Sequence, residues 1–285
     1  MAMTGAAHVL KALEDEGIRL AFGIPGTHNI ELYDLLATSK SVRSVLVTDE
    51  QSASFMADAA WRASGTMACV NVVPGAGLTH AMSGIAEAFM DCVPMLVLGC
   101  GIRRDTGKAY QLHDVDQQAL AAPVTKGTFR PERGEDIYGT IRAACRLARE
   151  GCPGPVFVEI PANLYLLQQP ASAPWQEVPP TVPPVPQDLL KQCAELLSKA
   201  KRPLIYVGLG AAGARADLVA LAEKLEAPVS STFQGKGVFP ESHPLFLWPG
   251  FGAAAPAFAR AVAGTATRPS PSAAVSAKWP PAATG

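Results

Sequence analysis

Residues 42–72 read VRSVLVTDEQSASFMADAAWRASGTMACVNV. This stretch carries the main evidence for the fold of the 285-residue chain. Its two ends, 42–47 and 67–72, are rich in β-formers, and they enclose an Ala-rich amphipathic segment. Thr48-Asp49-Glu50-Gln51 predicts a capping box at the start of a helix, and Gly65 predicts the glycine that ends it. A strand, a helix and a second strand in this order are typical of two parallel strands in one sheet.

The same alternation continues on both sides of this stretch. It predicts an α/β domain whose parallel sheet is covered by helices on both faces. The further predicted strands are 18–22, 95–98 and 156–160, and the predicted helices are 4–15, 29–38, 49–64, 78–90 and 135–149.

Three composition changes then divide the rest of the chain. The segment 169–186 is too rich in proline for a helix or a sheet interior, so we interpret it as a linker. A second α/β pattern follows, and it begins like a Rossmann-type domain but does not complete one; its predicted elements are helix 187–199, strand 203–207, helix 214–225 and strand 229–231. The last part, 264–285, lacks apolar periodicity and is predicted to be a disordered tail.

Composition excludes several classes of partner. Lys and Arg number 24 and Asp and Glu 25, so the formal charge of −1 gives no basic field that would attract nucleic acid. No apolar run reaches the roughly 18 residues of a membrane span. We therefore expect a cytoplasmic protein whose partner is a small molecule or another protein. The six cysteines form no CxxC pair, so we expect buried free thiols and no metal site.

Ligands of open parallel sheets bind beyond the carboxyl ends of the strands, so we expect functional residues in the loops there. Four are unusual: the turn 23–29, the acids Asp49 and Glu50, the glycine-containing turn 74–80, and the polar segment 111–116. Each also has an ordinary interpretation. The first could be a plain turn with Asn29 as helix cap, the acids could complement a helix dipole, and the others could be a tight turn and a solvated loop.

A fifth motif is GLGAAG at 208–213, which matches the dinucleotide-binding pattern between a strand and a helix. The acidic residue expected about 20 positions later is absent, because Val229-Ser230-Ser231-Thr232 occupies that place. NAD binding is therefore weakly supported.

Together these stretches resemble the thiamine-diphosphate-dependent enzymes of the acetolactate synthase and pyruvate oxidase group, from about residue 4 to residue 263. No single motif decides this; their order and spacing do. The stretches that carry the resemblance are 22–26, 47–53, 75–80, 88–95, 111–116, 154–161 and 236–244.

The resemblance implies a pyrimidine-binding domain over 1–168, the linker 169–186 and part of a central domain over 187–263. It implies that Glu50 exchanges a proton with the aminopyrimidine of thiamine diphosphate, which leads to a cofactor ylid that acts on 2-oxo acids or acyloins. It also implies a pocket formed by Pro25, Gly26, Ala76, Gly77 and His80, with His28 and Gln111 as acid–base or orienting groups.

In the family, Mg²⁺ and the diphosphate are held by a further domain with a Gly-Asp-Gly motif. This sequence has no Gly-Asp dipeptide, so we expect a truncated carboligase or lyase that is inactive alone, with 264–285 as a frameshifted tail. FAD occurs in the family, but nothing here supports it. We expect a homo-oligomer, or a hetero-oligomer with a full-length relative, formed by helices 49–64 and 78–90. The alternative is a non-catalytic binding or regulatory partner of such a relative.

Overall fold

A computed structural model describes residues 3–108, 112–172, 174–176, 184–250 and 254–266. The chain divides between residues 180 and 181 into two compact units. The predicted tail lies outside the described residues from position 267 onward, as do positions 173 and 177–183 of the predicted linker.

The first unit alternates strands and helices. Its strands are β1 (Met3–Thr4), β2 (Leu20–Gly23), β3 (Arg43–Leu46), β4 (Cys69–Val72), β5 (Met95–Gly101), β6 (Thr128–Phe129), β7 (Pro155–Pro161) and β8 (Gln168–Gln169). Its helices are α1 (Gly5–Asp15), α2 (Ile30–Thr38), α3 (Glu50–Ser64), α4 (Ala76–Met90), α5 (Gln117–Ala121), α6 (Ile137–Arg149) and α7 (Ala162–Leu166).

Six of these strands form one parallel sheet in the order β3-β2-β4-β5-β7-β6. Alternate residues of β5 point to opposite faces, as a pleated strand requires. Leu96 and Leu98 pack with α1, α2 and α6 in one apolar core, whereas Met95 and Val97 pack with α3 and α4 in the other. The α/β prediction of a parallel sheet covered on both faces is therefore confirmed.

The second unit contains α8 (Gln187–Lys199), β9 (Ile205–Val207), α9 (Arg215–Leu225), β10 (Val229–Ser231), β11 (Phe246–Pro249) and α10 (Ala257–Thr265). Its three strands form a parallel sheet in the order β11-β10-β9. The GLGAAG motif forms a 3₁₀ helix, Leu209–Ala214, directly before α9.

Several elements differ from the sequence-based expectations. The short strands β1, β6 and β8 and the helix α5 were not predicted, because two to five residues carry no readable periodicity. Gln169, at the start of the predicted linker, pairs with Met3 across β1 and β8, and Trp175 packs partly buried against the first core. Among the described residues, no helix combines the length and apolarity that crossing a bilayer requires.

Candidate functional site

The unusual turns of the first unit share one edge of the sheet. Because β2, β3, β4 and β5 are parallel neighbours, the loops that follow them leave from the same side. The turn before α2, the start of α3 and the turn before α4 therefore converge, and we call this side the carboxyl edge.

Glu50 is held at this edge by the start of α3. The helix cap is Asp49, whose carboxylate accepts hydrogen bonds from the backbone N–H groups of Gln51 and Ser52 at 3.2 and 3.3 Å. The predicted capping box with Thr48 as cap is therefore wrong by one residue, whereas the predicted Gly65 terminus is confirmed with φ of +68°. Because Asp49 caps the helix, Glu50 is left for another role, and its side chain is buried with only 8% of the residue exposed.

Two groups lie against the Glu50 carboxylate. His80 Nδ1 of α4 is 3.4 Å from Glu50 Oε2 and 3.8 Å from Asp49 Oδ1. A methyl group built on Gly77 would lie 3.3 Å from Glu50 Oε1, so the absence of a side chain there keeps space beside the carboxylate. The His80 side chain is 68% exposed, so this cluster opens to solvent on one side.

Gly26 and Gly77 lie on either side of one side chain, that of Val73. A methyl group on Gly26 would approach Val73 Cγ1 to 2.5 Å, and one on Gly77 would approach Cγ2 to 2.9 Å. Both positions therefore require glycine in this packing. The carboxylate of Glu50 and the two predicted glycine turns are thus brought together around the end of β4.

The turn before α2 is fixed by a buried asparagine. Asn29 Oδ1 accepts a hydrogen bond of 2.7 Å from the Gly26 N–H, and the residue is fully buried. Asn29 occupies the cap position of α2, as expected, but its side chain makes no cap hydrogen bond to the helix. The amide nitrogen of Asn29 instead reaches Ile24 O and Asn71 Oδ1, both at 3.5 Å.

His28 lies beside a second histidine rather than beside Glu50. Its ring meets that of His113 edge-on, with centroids 6.1 Å apart. Burial, and then the neighbouring His113, lower the pKa of His28. Gly75 adopts φ of +70°, and a methyl group there would lie 3.7 Å from His113 Cβ, so this pair sits over the turn before α4.

Gln111 lies outside the described residues, and the glutamine that the structure places at this edge is Gln117. Its Oε1 accepts from the Gly75 N–H at 3.3 Å and its Nε2 donates to Cys100 O at 2.9 Å, with 2% of the residue exposed. Sequence reasoning missed Gln117, since nothing in the sequence separates it from the adjacent, less buried Gln118. Of the other predicted pocket residues, Pro25 and Ala76 are exposed.

A second polar cluster lies farther along the same edge, around Glu159 of β7. Its carboxylate is 3.4 Å from Arg104 Nη2, 3.7 Å from Arg130 Nη1 and 3.2 Å from Gln118 Nε2, with 3% of the residue exposed. Two guanidinium groups compensate one buried carboxylate here. This cluster therefore has the pairing that a structural ion-pair network needs.

Two family models match the sequence. Residues 3–120 match the thiamine pyrophosphate enzyme N-terminal TPP binding domain, and residues 190–266 match the thiamine pyrophosphate enzyme central domain. The first match contains every described residue placed at the carboxyl-edge cluster of Glu50, Gly26 and Gly77.

Curated relatives agree with these models. The chain is 33% identical to the acetolactate synthase large subunit of Haemophilus influenzae over 253 residues, which are 86% of this chain and 44% of that protein. It is 35% identical to acetolactate synthase isozyme 3 large subunit of Escherichia coli K12, over 85% of this chain and 43% of that protein. It is also 35% identical to a probable acetolactate synthase large subunit of Methanocaldococcus jannaschii, with 86% and 43% covered.

The chain thus spans less than half the length of the curated relatives it matches. The resemblance predicted from the sequence motifs is confirmed, and it extends through both units of the structure. This chain belongs to the thiamine pyrophosphate enzyme family.

Proposed function

We propose that the carboxyl edge of the first unit binds the pyrimidine ring of thiamine diphosphate, and that the protein acts as an acetolactate synthase-like enzyme on 2-oxo acids or acyloins. The observation that carries this proposal is the buried carboxylate of Glu50, which lies against the turn at Gly77 in a chain of this family. When bound, the cofactor supplies a nucleophilic carbon that adds to a carbonyl group.

The residues at the edge fit a flat heterocycle with ring nitrogens. Gly26 and Gly77 carry no side chains, so other groups can approach the backbone of their turns closely. Glu50 offers one carboxylate oxygen on the side of Gly77, and the other is in reach of His80. A ring that enters from the exposed His80 side would therefore meet the Glu50 carboxyl group first.

The role proposed for Glu50 is to hold and exchange a proton at Oε1 or Oε2 with a ring nitrogen. The Glu50 residue is 8% exposed and one of its oxygens lies beside the turn at Gly77, so a ring nitrogen placed there would be within hydrogen-bonding reach of the carboxyl group. His80 would accept or donate a hydrogen bond at the second oxygen. His28, which burial keeps neutral at ordinary pH, would act as a base or as an orienting group on the side of His113.

We propose that Mg²⁺ and the diphosphate are held by residues other than those described at this edge. Among the described residues, the group with metal-ligand spacing is Asp49, Glu50 and His80, whose ligand atoms lie within 4.8 Å of one another. One of its three ligands is an imidazole, whereas Mg²⁺ prefers six oxygen ligands. We therefore assign this cluster to proton exchange.

We further propose that α3 and the end of α4 contact another chain. Phe55, Met56 and Met90 are 41%, 42% and 74% exposed, which is unusual for three large apolar side chains on neighbouring helices. The partner would be a second copy or a longer relative. Sedimentation of the chain alone, and of a variant with Phe55→Ser and Met56→Ser, tests pairing with a second copy, which a monomer in both cases contradicts.

The test of the cofactor assignment is a calorimetric titration of the protein with thiamine diphosphate and Mg²⁺, repeated with Glu50→Gln. We expect saturable binding that this substitution weakens about tenfold or more, because it removes a charge-assisted hydrogen bond. Equal affinity of both proteins would contradict the role of Glu50. Absence of binding in the protein assembled with its partner chain would contradict the proposed cofactor site.

A further inference from the structure

Two cysteines face each other at the opposite side of the sheet, which we call the amino edge. β5 and β7 are parallel neighbours, with Met95 opposite Pro155. Cys92 and Cys152 each precede the first residue of their strand by the same number of positions, so the pairing of the strands brings the two turns side by side. Their Sγ atoms are 2.8 Å apart, and both residues are partly exposed.

The backbone at Cys92 gives independent support for a role of its side chain. Val93 N–H donates to Ala88 O at 2.8 Å, and Cys92 itself has φ of +58° at the end of α4. This is the Schellman arrangement, in which the residue with positive φ is usually glycine because a side chain is strained there. A non-glycine residue kept in such a conformation points to a function of the side chain.

Both turns are also anchored. The Lys126 ammonium donates to the carbonyl oxygens of Leu147 and Glu150 beside Cys152, and Gly154 N–H donates to Ala148 O at 2.9 Å. On the other side, Asp91 accepts a hydrogen bond of 2.7 Å from Arg62. The two thiols are therefore held close together by the fold.

We propose that Cys92 and Cys152 are an oxidation site at which the two cysteines form a reversible disulfide with each other. The oxidant is a cellular disulfide such as oxidised glutathione. One thiolate attacks a sulfur of glutathione disulfide, and one glutathione thiolate leaves. The second cysteine thiolate attacks the resulting mixed disulfide and displaces the other glutathione. The two cysteines lose two electrons and two protons, and two reduced glutathione molecules form.

The disulfide would link the turn after α4 to the turn before β7, which are 60 residues apart in sequence. Such a cross-link constrains the unfolded chain, so we expect the melting temperature to rise by roughly 5–10 °C. Burial and the Cys92 thiol raise the pKa of Cys152 to about 11, so the exchange is slow and must be followed to equilibrium. Because the link is at the amino edge, it should leave the carboxyl edge unchanged.

The experiment incubates the protein with glutathione disulfide, blocks the remaining thiols, and maps non-reduced peptides by mass spectrometry. We expect a linked pair of peptides that contain Cys92 and Cys152, which dithiothreitol separates, together with the rise in melting temperature. Cys152→Ser should abolish both effects. Cys193→Ser, a change at an exposed cysteine, should abolish neither.

A second variant separates a redox role from a packing role. Cys92→Gly removes the thiol but suits the positive φ, so it should fold at least as stably as the reduced protein and fail to form the cross-link. The proposal is overturned if Cys193 becomes modified while Cys92 and Cys152 remain free. It is also overturned if the two cysteines pair with other cysteines as often as with each other in the folded protein.

Discussion

Two polar clusters at opposite edges of the six-stranded sheet, one around Glu16 and one around Glu50, differ in how completely their groups are paired within the chain. At the amino edge, Glu16 is bound by Arg142 and Arg149, and the Tyr138 hydroxyl donates to Asp15 at 2.7 Å. At the carboxyl edge, the titratable neighbours of Glu50 are Asp49 and the exposed side chain of His80. Asn71 Nδ2 lacks a hydrogen-bond partner among the described residues.

This difference indicates which cluster stabilises the fold and which one can bind a ligand. Buried groups that are fully paired within the chain stabilise it and have little left to offer a ligand. The nearly buried carboxylate beside two glycine turns differs, because a bound ligand can supply its strongest hydrogen-bond partner. Substitution of Glu50 should therefore mainly change binding and catalysis, and substitutions in the Glu16 cluster should mainly change stability.

The largest expected effect is that of Glu50→Gln on turnover. Removal of the proton-exchanging group should lower the rate of the assembled enzyme by about 10²- to 10⁴-fold. The free energy of unfolding should change much less. Steady-state rates and urea unfolding of the same preparations provide the two measurements.

Glu87→Gln is the matched control, since it makes the same chemical change at an exposed position of α4. Its rate should equal that of the unchanged protein. If the two variants have the same rate, the Glu50 carboxyl group has no role in catalysis.

Arg142→Ala should have the largest effect on stability. The Arg142 side chain is 10% exposed, it pairs with Glu16, and it lies 5.4 Å over the ring of Trp175. Its removal leaves a buried carboxylate with one partner fewer, so the protein should lose about 3–5 kcal/mol of unfolding free energy. Urea unfolding measures this loss.

Arg146→Ala, on the same helix, is the control for that variant. Arg146 is 42% exposed and pairs with Glu150 in an (i, i+4) contact, so its loss should cost under about 1 kcal/mol. Neither variant should alter cofactor affinity while the protein is folded. A specific loss of affinity with Arg142→Ala would show that the two edges are coupled.

Gly77→Ala tests whether the turn beside Glu50 is part of the cofactor pocket. The added methyl group would meet Val73 Cγ2 at 2.9 Å and Glu50 Oε1 at 3.3 Å, so affinity for thiamine diphosphate should fall and stability should drop by roughly 1–3 kcal/mol. Gly139→Ala is the matched change in α6, where nothing lies within 4 Å of the new methyl group. It should instead stabilise the protein by about 0.5–1 kcal/mol, as alanine does in a helix interior. Equal affinities of the two variants would contradict a pocket at Gly77.

The smallest expected effect concerns the pH dependence at His28. Burial and His113 lower its pKa in the folded protein, so the unfolded chain binds more protons as the pH falls through about 6.5. Stability should therefore decrease over that range, and His28→Gln should reduce the decrease. Unfolding curves at pH 8 and pH 5.5 measure both slopes, and a variant with an unchanged slope would refute the assignment.

The sequence predicted the elements that have clear periodicity. The strands β2 to β5 and β7 and the helices α1 to α4 and α6 were all expected, because the helices have an apolar periodicity and the strands are short runs rich in β-formers. Of these strands, β4, β5 and β7 are buried along their whole length. The partners of His28 and Asn29 were not predictable, since His113 and Asn71 approach them through tertiary packing. The capping role passed from Thr48 to Asp49 for a local reason, since either side chain can accept the same backbone N–H groups.

The family's order of motifs pointed to Glu50 and the two glycine turns before any geometry was known. It also pointed to Gln111, which lies outside the described residues, and it did not point to Gln117, which is buried. Nothing in the sequence of this polar connection distinguishes Gln117 from its neighbours. A side chain that links a turn to a strand, as Gln117 links Gly75 to Cys100 of β5, leaves no pattern in the sequence.

The contact between Glu50 and the cofactor is tested most directly by a crystal structure of the assembled protein with thiamine diphosphate bound. We predict that a Glu50 carboxylate oxygen lies within hydrogen-bonding distance of a pyrimidine ring nitrogen, with the ring at the carboxyl edge near the turns at Gly26 and Gly77. A pyrimidine ring bound elsewhere, or a Glu50 side chain that leaves the carboxyl edge and points to solvent, would contradict the proposed role of Glu50.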